Sequence, residues 1–155
     1  MLTEGDRAPQ FSLETSAGGN RSLEEFKGSW LVVYFYPRDD TPGCTTEAKD
    51  FTAASETFGE RNAKIIGVSK DTIEKHCKFI DKHALQVELL SDPSGDMIEA
   101  YGAWGEKNMY GKKSMGIVRS TVIVDPAGIV RHRFPKVRVK GHVDEVLNAL
   151  DALQK

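Results

Sequence analysis

Along the first half of the chain, short apolar runs alternate with stretches in which apolar residues return every third or fourth position. Leu31-Val32-Val33-Tyr34-Phe35-Tyr36 is continuously apolar, the pattern of a strand buried on both faces. Ala48, Phe51, Ser55 and Phe58 follow at helical spacing. Ala63–Ser69 is a second buried-type strand, and Thr72–His83 a second helix with Ile73, Cys77, Ile80 and Ala84 as its stripe. A strand, a helix and a strand joined at this length predict a right-handed parallel unit. Upstream, Ala17-Gly18-Gly19-Asn20 is a turn signal between Phe11-Ser12-Leu13 and Arg21-Ser22-Leu23, which predicts a short hairpin.

The second half reads differently. Val87–Leu90 is a short strand, Gly95–Tyr101 a short helix, and Gly102–Gly116 an irregular loop punctuated by glycines. Ser120–Val124 and Ile129–Phe134 are strands joined by Asp125-Pro126-Ala127-Gly128, a hairpin turn. A closing helix puts Val143, Val146, Leu147, Leu150 and Leu153 on one face. A βαβ unit followed by a ββα unit is a thioredoxin-like α/β arrangement, here with an N-terminal hairpin extension and an insertion before the C-terminal hairpin. Residues 1–155 are expected to form one domain of that kind. In such a sheet, reactive groups collect where strands hand over to helices at their carboxyl ends.

Composition narrows the partners. With 39% hydrophobic and 28% charged residues and a net charge of −2, the chain is ordinary for a globular protein and calls for neither nucleic acid nor membrane. No apolar run approaches the roughly 20 residues of a spanning helix. Met1–Asp6 has neither a basic start nor an apolar stretch, so no signal peptide is expected there. Two cysteines are too few for a secreted disulfide framework, and a cytoplasmic setting is expected.

The candidate chemistry lies just after the first buried strand, in Pro37-Arg38-Asp39-Asp40-Thr41-Pro42-Gly43-Cys44. Thr41 suits a helix cap, Pro42 the first helical position, and Cys44 then falls in the first turn. Unpaired N–H groups and the positive end of the helix dipole favour a negative, nucleophilic sulfur there. The bland alternative is a small buried hydrophobe heading the stripe Cys44, Ala48, Phe51.

Pro37-x-x-x-Thr41-x-x-Cys44 matches the signature of peroxiredoxins, thiol peroxidases that reduce hydroperoxides. The fuller string Tyr34-Phe35-Tyr36-Pro37…Thr41-Pro42-Gly43-Cys44-Thr45-Thr46-Glu47 resembles the Q-type subgroup, also called bacterioferritin comigratory protein. Further matches lie in Ile66–Ser69, Leu90–Asp92, Gly105–Lys112 and Gly116–Thr121, in order along nearly the whole chain. The resemblance implies that Cys44 is the peroxidatic cysteine, that Thr41 holds the peroxide and that Pro37 shields the sulfur from water. It implies further that Arg119 lies against the thiolate and Glu47 orients that arginine. No metal or organic cofactor is implied. The expected partners are a hydroperoxide and a thioredoxin-like reductant, and a monomer is expected because an internal disulfide needs no partner subunit. Phe35, Trp104 and Tyr110 are candidates to line the approach to Cys44.

Cys77 stays open. Many Q-type proteins carry a resolving cysteine shortly after the peroxidatic one, but Lys49 stands at that position here. In other members it sits on the helix that Thr72–His83 matches, and Cys77 falls about one turn before that site. Cys77 is nonetheless the expected resolver, forming an internal disulfide with Cys44 that thioredoxin would reduce; the alternative is a one-cysteine enzyme resolved by an external thiol. Outside peroxidases, a disulfide oxidoreductase is opposed by Thr41, which stands where a Cys-x-x-Cys pair would begin; a non-enzymatic binding module or chaperone of the same fold is the other alternative. His76 and His83 are roughly 10 Å apart along a helix, too far to share a metal easily. Gly111-Lys112-Lys113-Ser114 resembles the end of a phosphate-binding loop, yet Glu106 replaces its first glycine. The basic run Arg131, Arg133, Lys136, Arg138, Lys140 reads as a sheet edge guarded by charge.

Overall fold

The computed structural model describes residues 2–155, Met109 through its backbone alone; Met1, with which the N-terminal reading begins, lies outside the described residues. A mixed sheet has the order β2-β1-β5-β4-β3-β8-β9. Its strands are β1 (Ser12–Thr15), β2 (Asn20–Ser22), β3 (Trp30–Phe35), β4 (Ala63–Ser69), β5 (Glu88–Ser91), β8 (Ser120–Val124) and β9 (Val130–Phe134). A separate hairpin pairs β6 (Trp104–Met109) with β7 (Lys112–Ile117). The helices are α1 (Pro42–Ala53), α2 (Ser55–Glu60), α3 (Ile73–His83), α4 (Asp96–Ala100) and α5 (His142–Leu153). β3, β4 and β5 run parallel, whereas β8 is antiparallel to both β3 and β9, which gives the expected thioredoxin-like arrangement. The N-terminal hairpin is part of the same sheet, because β1 pairs with β5.

The apolar run of β3 is explained by burial on both faces. Every residue from Leu31 to Tyr36 is at most 1% exposed. Leu31, Val33 and Phe35 enter one core with Ile66, Leu90 and Ile98; Val32, Tyr34 and Tyr36 enter the other with Cys44, Phe51, Phe79 and Val146. At about 1.5–3 kcal/mol for each fully buried aliphatic or Phe side chain, this strand is a firm base for the segment that follows it.

Four local expectations are corrected. Gly102–Gly116 is mostly the β6–β7 hairpin, turned at Tyr110 (φ 54°) and Gly111 (φ 79°). Most of β7 is exposed, so no core face imposed an apolar alternation on it. The helical spacing from Ala48 to Phe58 breaks at Ala54 (φ −97°, ψ 2°), next to a Thr52 hydroxyl that bonds back to the Ala48 carbonyl at 2.8 Å. On α3 the buried residues are His76 and Phe79, whereas Ile73, Cys77 and Ile80 are only partly covered and Ala84, just beyond the helix, is exposed. A hydrogen-bonded histidine counts as polar in any hydrophobic pattern, which displaced the stripe. In the basic run, Arg131 and Arg133 lie on the edge strand β9, but residues 136–140 form no strand.

Candidate active site

β3 delivers the chain through residues 36–41 into α1, with Pro42 at the first helical position. Thr41 is the N-cap residue, and its carbonyl accepts the Thr45 N–H at 2.8 Å. Its hydroxyl makes no cap: it donates to the Arg38 carbonyl at 2.9 Å. The expected Thr41 side-chain cap is therefore absent, and the first-turn N–H groups keep their pull on a negative charge. Cys44 lies in that turn and is 2% exposed.

Arg119 arrives between β7 and β8, its backbone tied by the Val137 N–H to its carbonyl at 2.9 Å. Its Nη2 donates to Cys44 Sγ at 3.2 Å and its Nη1 to Glu47 Oε1 at 2.6 Å. One planar guanidinium thus joins the sulfur to a carboxylate one turn further along α1. Gly43 makes room for it, since a Cβ there would stand 3.2 Å from Nη2. The Glu47 side chain is fully buried, and that burial pushes its carboxyl up to about 7 against the pull of Arg119. Burial opposes the Arg119 charge, but Glu47 and Cys44 together hold the guanidinium pKa above its ordinary value.

Two neighbours were not found by sequence reasoning. Lys107 on β6 is half-buried; burial and then Arg119 lower its pKa, while Cys44 acts the other way. Its stem lies along the hairpin over Gly116, where a Cβ would come within 3.3 Å of Lys107 Cδ. The available signal was its place in Gly105–Lys112, a stretch that matched the peroxiredoxin subgroup but was read as a loop with no role for the lysine. Tyr34 lies beneath the site, stacked on Phe51 with centroids 4.6 Å apart, and burial, Glu47 and Cys44 keep its phenol neutral.

The other candidates separate. Pro37 is half-buried in the segment before α1. Cys77 is half-buried with Sγ 3.9 Å from the Ser16 carbonyl, on the β1 side of the sheet, and both cysteines are free. Between that side and β8 lie β5, β4 and β3, spaced about 4.8 Å apart. The proposed aromatic lining is corrected. Phe35 faces Tyr101 in the opposite core (centroids 5.6 Å apart), Trp104 packs on that same core under Lys70, and Tyr110 is 99% exposed at the hairpin turn. His76 and His83 are held separately, by Asp39 and Asp40.

The family model described as AhpC/TSA family matches residues 4–133. Peroxiredoxin Bcp of Bacillus subtilis is 47% identical over 146 residues, covering 94% of this chain and 93% of that protein. A solved structure of the bacterioferritin comigratory protein of Xanthomonas campestris, described for its alkyl peroxide reduction activity, is 44% identical with a TM-score of 0.89, over 94% of this chain and 92% of that one. A cysteine mutant of Xylella fastidiosa PrxQ superposes over 100% of this chain and 99% of its own, with a TM-score of 0.93 at 33% identity. The chain belongs to the AhpC/TSA family, as a peroxiredoxin of the Q, or Bcp, type.

Proposed function

We propose that this peroxiredoxin reduces hydrogen peroxide and alkyl hydroperoxides at Cys44. The observation that carries the reading is the Arg119 Nη2 contact with a buried sulfur at a helix start. The Cys44 thiolate attacks the terminal peroxide oxygen, the O–O bond breaks, and the departing oxygen takes a proton to leave as water or an alcohol. Cys44 is left as a sulfenic acid. Arg119 and the first-turn N–H groups stabilise the charge on the departing oxygen, while the Thr41 hydroxyl, its proton given to the Arg38 carbonyl, accepts from the peroxide O–H and holds it in place. Glu47 fixes Arg119, and Pro37 limits water at the sulfur. Replacing Cys44 by Ser is expected to abolish peroxide consumption and leave the fold intact; retained peroxidase activity would overturn the reading.

Two fates follow for the sulfenic acid. Condensation with the Cys77 thiol releases water and forms an internal disulfide, which a thioredoxin-like dithiol reduces; this route suits a monomer in a reducing compartment. Cα atoms must come within roughly 7 Å for that bond, so α3 or the start of α1 has to unwind first. The position of Cys77 against Ser16 favours the second route, attack by an external thiol. Cys77→Ser decides between them. Stalled turnover with thioredoxin and faster over-oxidation are expected for a resolver, and unchanged turnover for the external route.

A further inference from the structure

His76 has no exposed surface, and no step above uses it. Its ring is held by both nitrogens, Nδ1 at 2.6 Å from Asp39 Oδ2 and Nε2 at 2.9 Å from the Leu90 carbonyl oxygen. The Tyr36 hydroxyl donates to the other Asp39 oxygen at 2.6 Å, and the Asp39 N–H donates to Asp71 Oδ2 at 2.7 Å. Asp39, its side chain 5% exposed, is thus fixed through side chain and backbone at once. Its N–H belongs to the same peptide plane as the Arg38 carbonyl, which is the acceptor of the Thr41 hydroxyl. Because that plane is rigid, anchoring its N–H side sets the direction of the carbonyl on the other side. The neighbouring contacts of Asp40 with Lys82 and His83 involve side chains 44%, 61% and 16% exposed; the outer pair is screened by solvent and holds the segment less firmly.

We propose that His76 is a positioning residue for peroxide reduction: through Asp39 it fixes the Arg38–Asp39 peptide and so the direction in which the Thr41 hydroxyl is held at the Cys44 turn. The inference rests on the reading of Thr41 as a peroxide-holding group. It also places that control on α3, in the residue next to Cys77.

The test measures two second-order rate constants for Cys44, with hydrogen peroxide and with iodoacetamide, which needs a reactive thiolate but no positioned hydroxyl. In His76→Gln the amide can reach Leu90 but not Asp39, whereas in His76→Asn it can reach Asp39. The expected result for His76→Gln is a loss of about tenfold or more with peroxide and a change within about threefold with iodoacetamide. His76→Asn is expected to stay within about threefold of the parent with peroxide. Added to Thr41→Val, His76→Gln should cost little more, because both act through one hydroxyl. An unchanged peroxide rate, equal losses with both reagents, or additive losses would overturn the inference while leaving Thr41 in its role. A Thr41→Val protein with the parent rate would overturn the Thr41 reading and this inference together. Asp39→Ala, which removes the oxygens that His76 and Tyr36 bond, carries the same expectations if His76→Gln does not fold.

Discussion

At the scale of single residues, one guanidinium reaches both a sulfur and a carboxylate. Lysine keeps the charge but cannot span both contacts with a planar fork. Arg119→Lys is therefore expected to keep the fold and lower the peroxide rate constant by about a hundredfold or more, the scale of removing one aimed donor. A near-parental rate, measured by stopped flow, would mean that a point charge suffices. Cys44 was legible from its place in a helix's first turn after a buried strand, whereas Thr41 and Arg119 were reached only through the resemblance to peroxiredoxins. Gly43 and Lys107 were not, since their roles depend on close approaches across the fold. For Phe35 a signal existed: strand alternation from Tyr34 and Tyr36 turns it away from the Cys44 face.

Among the elements, the strands and helices with a core face were legible, and the hairpin β6–β7, which has almost none, was not. α5 shows how an element can be set by one polar contact. Its first residue, His142, is buried with Nε2 2.8 Å from the Thr121 hydroxyl. Burial, and then the charge of Arg119, lower its pKa from 6.5 to about 4. As pH falls through that window the unfolded chain takes a proton that the folded one refuses, so stability is lost. The full shift corresponds to up to about 3 kcal/mol. His142→Gln is expected to remove that loss, so that the urea midpoint at pH 4.5, taken relative to that at pH 6.5, stands higher than in the parent. An unchanged difference would mean that α5 lets its histidine titrate in place.

For the whole molecule, Glu47 works in the opposite sense. Its carboxyl is raised from 4.5 to about 7, so the stability it contributes is complete below pH 4.5 and is lost as pH rises through 7. Between pH 4.5 and 6.5 the two groups offset each other. Glu47→Gln, which leaves only the His142 slope, is expected to make stability fall more steeply with acid than in the parent; a flatter curve would contradict the sign. Charge of this kind was invisible in a composition with net charge −2, because it depends on which groups the fold buries. The central claim, that Cys44 is the sulfur that meets peroxide, is tested most directly in Cys77→Ser protein. The measurement is the intact mass, with peptide mapping, after one equivalent of hydrogen peroxide in the presence of dimedone. A dimedone adduct on the Cys44 peptide with the peroxide consumed is the predicted result. Unmodified Cys44 with the peroxide still present would contradict the account.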